Sequence, residues 1–280
     1  MSDLIIRNMS RDEVGIAIAW ASAEGWNPGD YDSAAFYEAD NNGFSLGIVD
    51  NEPIGCISAV SYGEGFGFIG FYIVRPDFRG RGYGRRLWRH AINYMGERNV
   101  GLDGVLAQQD NYKKSGFTLA YRNIRFEGIS GNFKIPSNIV SLLAVPFETV
   151  VAYDDRLFPA SRPHFLNLWI NEPAHICLAV LDNERLAGFG VIRPCQKGFK
   201  IGPLFADNPE FAENLFCSLI SHVPNHKYVY LDTPEVNTEA VGLAEKYGMA
   251  SVFETARMYT KAEPKIEIEK LFGVTSFELG

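Results

Sequence analysis

A turn rich in glycine and arginine follows an apolar stretch of the sequence and precedes a segment with helical periodicity. The turn reads Arg79-Gly80-Arg81-Gly82-Tyr83-Gly84, and the apolar stretch covers residues 66–74. A strand that turns through glycines into a helix leaves backbone N–H groups unpaired at the helix start, where the helix dipole also favours negative charge. The chemistry that this pattern favours is the binding of a phosphate or a pyrophosphate.

The charge around the turn contrasts with that of the whole chain. The 280 residues carry a formal net charge of −8, whereas residues 75–89 contain six arginines, among them Arg85 and Arg86, and one acid, Asp77. A general nucleic-acid-binding protein needs a broad basic face, which an acidic chain does not provide. We therefore expect no nucleic-acid partner, and the local positive charge favours a small anion.

Two well-known phosphate-binding motifs do not fit the turn. A P-loop requires a lysine followed by serine or threonine after its glycines, and the turn has no such pair. A dinucleotide-binding fingerprint requires GxGxxG, but Arg85 stands where the third glycine would follow Gly80 and Gly82. The turn therefore indicates a different kind of phosphate site.

The turn resembles the pyrophosphate loop of the GCN5-related N-acetyltransferases, the GNAT family. That family's motif runs V-x-P-x-x-R-G-x-G-x-G/A at the end of its fourth strand, and residues 74–84 read VRPDFRGRGYG. The family's Y-x-x-x-G-F signature, which follows its fifth strand, is present from Tyr112 to Phe117 as YKKSGF. With both motifs in the family's order, residues 4–126 resemble a GNAT domain.

The resemblance implies a site for an acyl-coenzyme A, with acetyl-coenzyme A as the first choice. Backbone N–H groups of residues 81–86 would hold its pyrophosphate. Ile73 and Val74 would pair through their backbones with the pantetheine arm, and Tyr112 would lie near the sulfur. One position departs from the family, since Val105 stands where many members have an asparagine seven residues before the tyrosine.

The formation of an amide from a thioester needs an acid and a base. A lysine-like amine has an unperturbed pKa near ~10.4, so it must lose a proton before it attacks. The departing thiolate must gain a proton, which a phenol with a pKa near ~10 can supply. We assign the acid to Tyr112, for which packing alone is the alternative role. We assign the base to Glu64 by analogy of position, with Asp103 and Asp110 as rivals and a solvated turn carboxylate as the alternative.

The acceptor site is expected beside residues 26–30, which lie in the family's variable region after the first helix. Trp26 and Asp30 are the candidate contacts there. The carboxylates of Asp30 and Asp32 would attract a cationic amine, whereas the alternative is a plain loop. A small-molecule amine is therefore the expected partner.

The strand and helix patterns that must position these residues indicate an α/β (α+β) fold with two similar halves. Strand and helix patterns alternate through the first half and recur in the second, and residues 127–140, rich in Gly, Ser, Asn and Pro, predict a connector. We expect two tandem GNAT-like domains, residues 1–130 and residues 131–280. Each would have a mixed, mostly antiparallel, twisted sheet flanked by helices.

The second half carries the family's late signature in an altered form. Asn237 stands at the asparagine position that the first half lacks, but Ala244 replaces the tyrosine. The glycine turn is absent, and Asp207 and Pro209 stand where it should begin, which disfavours a pyrophosphate. We therefore expect one coenzyme site per chain and a degenerate second domain that completes the acceptor site or stabilises the first domain.

The remaining reactive residues predict neither a metal site nor a membrane segment. The four cysteines are far apart and form no CxxC pair, which predicts buried thiols in a reducing, cytoplasmic setting. The histidines lack metal spacing, since Pro224 interrupts the pair His222 and His226. No apolar run approaches the ~18 residues of a membrane span, so no membrane partner is expected.

These observations predict an acyl-coenzyme A-dependent N-acyltransferase. It would move an acetyl group, or another acyl group, to an amine by direct attack in a ternary complex. A non-catalytic acyl-coenzyme A sensor or regulatory module is one alternative, and a polyanion-binding interaction protein is another. The sequence leaves the acceptor, the acyl chain length and the oligomeric state open.

Overall fold

The computed structural model describes residues 3–280, and the two halves of this stretch repeat one order of elements. The first half contains β1 (Ile5–Asn8), α1 (Val14–Ala23), α2 (Asp32–Ala39), β2 (Phe44–Val49), β3 (Glu52–Tyr62), β4 (Phe66–Val74), α3 (Tyr83–Met95), β5 (Asn99–Val105), α4 (Gln109–Lys114) and β6 (Thr118–Ile129). The second half contains β7 (Ile139–Ser141), α5 (Phe147–Asp154), α6 (Pro163–Asn171), β8 (Ile176–Asp182), β9 (Arg185–Cys195), β10 (Gly198–Ala206), α7 (Pro209–Ser221), β11 (Tyr228–Pro234), α8 (Thr238–Lys246), β12 (Ala250–Tyr259) and a final β13 (Leu271–Gly273).

All of these strands belong to one continuous sheet. Their order is β1-β2-β3-β4-β5-β12-β6-β11-β10-β9-β8-β7, and β13 pairs with β10 outside this path. Paired strands are antiparallel except for β4 with β5 and β10 with β11, which are parallel. The mixed, mostly antiparallel architecture that the sequence predicts is confirmed.

The two halves exchange a strand at the centre of the sheet. β12, from the second half, lies between β5 and β6 of the first, and β6 in turn lies between β12 and β11. β6 pairs with β11 along the whole length of β11. Each half therefore supplies the strand that completes the other half's sheet, so the expected boundary at residue 130 divides the chain but not the sheet.

Aromatic side chains join the helices and strands of the two halves on one face of the sheet. Phe36 of α2 stacks on Trp169 of α6 with ring centroids 6.0 Å apart, and it meets Phe71 of β4 edge-on at 5.9 Å. Tyr62 of β3 meets Phe158 edge-on at 4.8 Å. All five side chains are buried. Because large rings contribute much of the apolar area in a core, these contacts hold the two halves together.

The start of α3 is fixed by the glycine turn and by an apolar stripe. Gly82 is the N-cap of the helix, with a φ of 83°, a left-handed conformation that glycine adopts without steric cost. Leu87, Ala91 and Met95 recur at helical spacing and are buried against the sheet. The stripe sets the rotation of α3, and the turn directs its N-terminus toward the end of β4.

The last ten residues, 271–280, are buried although they contain only one short strand. β10 and β11 pair with each other only as far as Ile201 and Leu231. Beyond that point β13 pairs with β10, and the Val274 N–H donates to the Asp232 carbonyl on β11 at 2.8 Å. The C-terminal segment therefore fills the gap in which β10 and β11 separate.

The cysteine side chains of the described chain lie in the protein interior, as the sequence predicts. The four cysteines are free and buried, and burial raises the pKa of each thiol.

The connector between the two halves is shorter than the predicted residues 127–140, because β6 continues to Ile129. None of the helices in residues 3–280 is both long and apolar enough to cross a membrane.

Candidate active site

The parallel strands β4 and β5 separate part-way along their length. They pair from Phe66↔Asn99 to Ile69↔Leu102 and then diverge. β5 continues beside β12, whereas in the described chain no strand pairs with the edge of β4 that faces β5 beyond Ile69. A cavity of about 450 Å³ lies between the two strands. Both halves contribute to its lining, which includes Ile73, Gly80, Trp88, Tyr112, Phe253 and Glu278.

A bulge turns β4 away from β5 at the cavity. The register of β3 with β4 shifts between Cys56 and Ser58, so that Phe71 and Tyr72 together face Ile57. Phe71 has a φ of 44°, in the left-handed region that residues other than glycine seldom adopt. Bulges redirect backbone groups, and this one exposes the edge of β4 to the cavity.

Ile73 and Val74, which the sequence predicts beside the pantetheine arm, both line the cavity. Their backbones pair on the opposite side with β3. The Val74 carbonyl also accepts a hydrogen bond from Arg79 Nε at 2.7 Å. That carbonyl is therefore engaged, as is the Phe71 carbonyl, which accepts a hydrogen bond from Cys56 Sγ at 3.2 Å. The other backbone groups on the edge of β4 from Gly70 to Ile73 remain to pair with an extended ligand.

The glycine turn forms one mouth of the cavity. Gly80 and Gly82 have φ values of 75° and 83°, and Gly80 and Gly84 line the opening. No side chain caps α3. The Arg86 N–H, expected among the anion-binding groups, donates instead to the Gly82 carbonyl at 3.3 Å as the first hydrogen bond of the helix. The available N–H groups therefore belong to residues 81–85.

Two arginines of the turn are committed to the protein itself. Arg79 joins the Val74 carbonyl and the carboxylate of Glu24, so it holds the turn against β4 and the end of α1. Arg86 Nη2 donates to the Leu4 carbonyl at 2.8 Å. The side chains of these two expected coenzyme-binding residues thus position the turn rather than face an anion.

Arg81 and Arg85 are the arginines of the turn that stay available. Both are exposed, and neither forms an ion pair with another residue of the described chain. The Arg81 guanidinium lies over the Phe78 ring, 5.3 Å from its centroid. The side chain of Tyr83, by contrast, is buried. An anion at this mouth would therefore meet two guanidinium groups and the start of α3.

Tyr112 stands inside the cavity, as the sequence predicts for the residue near the sulfur. Its ring lies 5.5 Å from that of Trp88 and directly against Gly104, where a Cβ would overlap it. Burial, with a contribution from neighbouring Tyr72, raises the pKa of Tyr112 to about 12. The phenol is therefore protonated at neutral pH and can act as a proton donor.

The predicted base, Glu64, lies outside the cavity. Its side chain is exposed in the turn between β3 and β4, at the end of β4 remote from Val74. Of the rival carboxylates, Asp110 is exposed on α4, whereas Asp103 lines the cavity but is buried in an ion pair with Arg257, 2.6 Å from Oδ2 to Nη2. Analogy of position thus selected a carboxylate that the turn carries away from the reacting groups.

A buried carboxylate that the sequence does not single out, Glu278, also lines the cavity. Glu278 is 3% exposed, and its Oε2 has no hydrogen-bond partner in the described chain. Burial raises the pKa of this carboxyl, and the cations Lys200 and Arg125 oppose the rise. The available signal in the sequence was a single acid within an otherwise uncharged stretch, LFGVTSFELG.

Trp26 and Asp30, both expected at the acceptor site, are separated by the structure. Trp26 lines the cavity, and its carbonyl accepts a hydrogen bond from Arg125 Nη1 at 2.5 Å. Asp30 is exposed outside the cavity, and its N–H donates to the Pro194 carbonyl on β9 at 3.1 Å. The segment therefore contributes a ring to the cavity and a backbone contact to the second half.

In the second half, the chain's own groups occupy the positions that correspond to the glycine turn and to the gap between β4 and β5. Asn208 caps α7, and its Oδ1 accepts from the Phe211 N–H at 2.9 Å. Asp207 faces Lys270 at 3.3 Å. β13 fills the gap between β10 and β11. The helix start and the gap between strands are thus closed by the protein.

The polar groups around the cavity define the chemistry that it can support. They include the phenol of Tyr112, the carboxylate of Glu278 and the N–H groups of the turn, next to the exposed edge of β4. Two further carboxylates line the cavity, but each is paired with an arginine: Asp103 with Arg257 and Glu24 with Arg79. Such groups can hold an anion, align an extended chain and move protons. Among residues 3–280, no cluster of three or more His, Cys, Asp or Glu side chains is arranged to hold a metal ion.

Two family models match separate parts of the chain. The model described as "Acetyltransferase (GNAT) family" matches residues 13–117, which include the glycine turn and Tyr112. The model described as "Acetyltransferase (GNAT) domain" matches residues 150–273, which include Asn237 and β10. The repeated order of elements therefore corresponds to two matches with one kind of domain.

Curated relatives match most of the chain. Holothin acyltransferase of a Pseudoalteromonas species is 33% identical over 272 residues, which cover 97% of this chain and 92% of the relative. An uncharacterised N-acetyltransferase of Bacillus subtilis is 22% identical over 243 residues, with 85% of this chain and 84% of the relative covered. The first similarity extends through both halves.

Solved structures show the same fold. A putative acetyltransferase from Pyrococcus horikoshii superimposes with a TM-score of 0.83 at 22% identity, covering 99% of this chain and 96% of that one. A tandem GNAT protein from the clavulanic acid biosynthesis pathway gives a TM-score of 0.66 at 12% identity, covering 93% of this chain and 100% of that one. Both likenesses extend over almost the whole chain.

Proposed function

We propose that the chain transfers an acetyl group from acetyl-coenzyme A to an amine of a small molecule. The premise is that the chain belongs to the GNAT family of acyltransferases and contains two GNAT domains. The observation that carries the proposal is the cavity between β4 and β5. At one mouth it has an uncapped helix start with two available arginines, and inside it has a protonated phenol. These are the groups that a thioester of coenzyme A requires for binding and cleavage.

The coenzyme A thioester would lie along β4. The N–H groups of residues 81–85, with Arg81 and Arg85, would bind the pyrophosphate, because a helix start and guanidinium groups both attract phosphate oxygens. The amides of the pantetheine arm would pair with the exposed edge of β4 from Gly70 to Ile73. This arrangement places the thioester where β4 and β5 separate.

The acceptor would enter from the other end of the cavity. Trp26, Phe253 and Phe277 line the cavity and lie around Arg125, so an amine with a compact apolar or aromatic body would bury its surface against their rings. The similarity to a relative named holothin acyltransferase supports a small molecule as the acceptor.

The two domains would have different roles in the site. Residues 1–130 supply the glycine turn, β4 and Tyr112 to the coenzyme end of the cavity. Residues 131–280 supply β12 and the C-terminal segment, through Phe253, Thr255 and Phe277. We therefore assign the coenzyme to the first domain and completion of the acceptor end to the second.

The reaction would be a direct attack of a neutral amine on the thioester carbonyl. Backbone N–H groups at the bulge near Phe71 and Tyr72 would stabilise the developing oxyanion, because fixed dipoles act strongly in a cavity from which water is excluded. Tyr112 would give its phenolic proton to the departing thiolate. The amide forms as the carbon–sulfur bond breaks, with both substrates bound at once.

Calorimetry and thiol release together test this proposal. Acetyl-coenzyme A should bind with saturation at one site per chain. Free thiol should then appear when holothin or simple primary amines are added, and butyryl- and hexanoyl-coenzyme A would test the acyl group. Binding without thiol release for any amine would indicate a non-catalytic acyl-coenzyme A sensor, and absence of binding would refute both functions.

A further inference from the structure

We propose that Glu278 is the general base of the reaction, and that the second domain holds it in the active cavity by means of the C-terminal segment. This inference rests on the proposed N-acyltransferase function. It replaces Glu64, which the structure places outside the cavity, as the residue that takes the proton of the acceptor.

Glu278 lies where β4 and β5 separate. The last residue pair of the two strands is Ile69↔Leu102, and Gly70 is the next residue of β4. The backbone of Glu278 packs directly on Gly70, where a Cβ would overlap the Glu278 carbonyl oxygen. Because the thioester is proposed to lie at this branch point, the carboxylate is positioned beside the carbonyl that the amine attacks.

Glu278 differs from the other buried acids of the described chain in having no cation bound to it. Asp32, Asp154 and Asp232 each form an ion pair within 3 Å, with Arg193, Arg162 and Arg125 respectively. Glu278 forms none, and its Oε2 has no hydrogen-bond partner in the described chain. A buried carboxylate without a partner reduces stability, so its presence beside a cavity points to a role in function.

Charged groups of four other elements face Glu278. They are Lys200 of β10, Arg125 of β6, Arg193 of β9 and Asp32 of α2. Burial raises the pKa of the Glu278 carboxyl, whereas the three cations lower it and Asp32 raises it. A carboxylate whose pKa lies above the ordinary range is a stronger base than a solvated one, and the three cations limit the rise of the Glu278 pKa.

The segment before Glu278 is anchored in the second domain. The Asn237 amide donates to the carbonyls of Ile268 and Leu271 at 3.1 and 3.0 Å, and also to that of Glu269. β13 then pairs with β10. The gap that holds coenzyme in the first domain therefore holds the chain's own backbone in the second.

The residues on either side of Glu278 are anchored as well. Arg162 Nη2 donates to the Thr275 hydroxyl at 2.8 Å. On the other side, the Tyr62 hydroxyl donates to the Leu279 carbonyl at 3.1 Å. These bonds fix the path of the backbone through Glu278, so the position of its carboxylate is determined by both domains.

The protons balance as follows in the proposed reaction. The acceptor enters as an ammonium ion and gives one proton to the Glu278 carboxylate. The neutral amine forms a bond to the carbonyl carbon, and the carbon–sulfur bond breaks. Tyr112 protonates the thiolate and recovers a proton from the positively charged nitrogen, which leaves a neutral amide. Glu278 then releases its proton to water.

The decisive comparison uses Glu278→Gln and two amines. One is the alkylamine that the wild-type enzyme acetylates fastest in the panel, and the other is its β,β,β-trifluorinated analogue, whose ammonium form is acidic enough that the amine is mostly neutral at pH 7.5. We expect Glu278→Gln to lower kcat/KM about 100-fold for the alkylamine and less than about 5-fold for the fluorinated amine. A residue that only supports the structure would affect both amines equally.

Control variants separate the possible outcomes. Glu269→Gln makes the same change at an exposed position two residues before the C-terminal segment and should leave kcat/KM unchanged. Glu278→Asp keeps a carboxylate and should retain about a tenth of the wild-type kcat/KM. If Glu278→Gln does not bind acetyl-coenzyme A, the two amines are compared with Glu278→Asp instead. The inference about Glu278, but not the proposed function, would be overturned by either of two results. In one, Glu278→Gln acetylates the amines as fast as the wild-type enzyme; in the other, it loses equal activity on both amines. No wild-type turnover with any amine would instead refute the proposed function.

Discussion

Arg193 and Asp32 form a buried ion pair that ties the second half of the chain to the first. Nε of Arg193, on β9, donates to Oδ1 of Asp32, the first residue of α2, at 2.9 Å. Both side chains are completely buried. The guanidinium also lies over the Trp169 ring, 4.4 Å from its centroid. One arginine therefore connects α2, α6 and β9.

Replacing Arg193 should destabilise the whole protein. Arg193→Met would leave Asp32 as a buried charge without a partner, and we expect the free energy of unfolding to fall by about 3–5 kcal/mol. Urea unfolding measures this change. Arg185→Met removes an exposed arginine of the same strand, 3.6 Å from Asp207, and should change the free energy by less than about 1 kcal/mol. Equal effects of the two variants would contradict the prediction.

Gly82 should be needed for coenzyme binding beyond its effect on stability. Gly82 and Gly63 both have positive φ and open space around their Cα atoms, so valine at either position costs about 1–3 kcal/mol of backbone strain. Gly63, however, lies in the turn between β3 and β4, away from the cavity. We expect Gly82→Val to weaken acetyl-coenzyme A binding more than about tenfold in calorimetry, and Gly63→Val to leave it unchanged. Similar affinities would remove the turn from the coenzyme site.

Tyr112 should contribute to the chemical step but little to binding. We expect Tyr112→Phe to lower the single-turnover rate constant about 10- to 100-fold without changing the affinity for acetyl-coenzyme A, because the thiolate loses its proton donor. Since burial raises the pKa of Tyr112 to about 12, the wild-type rate should not fall through loss of this proton up to about pH 10. Tyr94→Phe removes an exposed hydroxyl bound to Asp40 and serves as the control. An unchanged rate in Tyr112→Phe would leave packing as the role of this ring.

Asn237 should matter through the C-terminal segment rather than through α8. Asn237→Asp keeps the oxygen that caps α8 but removes the amide donor of the three carbonyl bonds. We expect faster hydrogen exchange in residues 271–275 and about tenfold lower kcat/KM, because the segment that carries Glu278 loosens. Asn208→Asp changes a cap of α7 in the same way without touching this segment. Loss of activity without a change in exchange would contradict this explanation.

Lys200 should set the pH dependence of the reaction. Its Nζ is buried without a partner in the described chain, and its charge lowers the pKa of Glu278. Lys200→Met removes that effect, so the Glu278 pKa rises and more of the carboxylate is protonated at a given pH. The acidic limb of the kcat/KM profile should therefore move to higher pH. Lys197→Met changes an exposed lysine and should leave the profile in place. A shift to lower pH, or none, would contradict the assignment.

The residues that we propose for coenzyme binding could be picked out from the sequence because most of them are contiguous. The glycine turn, its arginines and the helix that follows form one local unit, in which residue type alone fixes the φ of Gly80 and Gly82. Ile73 and Val74 precede that unit, and Tyr112 belongs to a second short motif. Of these residues, Ile73, Val74, Arg79, Gly80, Gly84 and Tyr112 line the cavity. The partners of Arg79 and Arg86 could not be predicted, because they lie on other elements.

The acceptor end could not be predicted, because it is assembled from distant segments. Glu64 was selected by its place before β4, but a turn carries it into solvent. Glu278 reaches the cavity only because the C-terminal segment fills the gap between β10 and β11 and then crosses to Gly70. No local periodicity records such a path, since it depends on which strand edge is left open.

The sequence by itself determined the family resemblance, the duplicated order of elements and the position of the single glycine turn, all of which depend on short-range patterns. Only the tertiary structure decided that β6 and β12 change places and that the second domain closes its own gap with β13. The physical reason is that alternation along a strand specifies which face is buried but not which neighbour pairs with its edge. Pairing of these edges is what brings Glu278 and Tyr112 into one cavity.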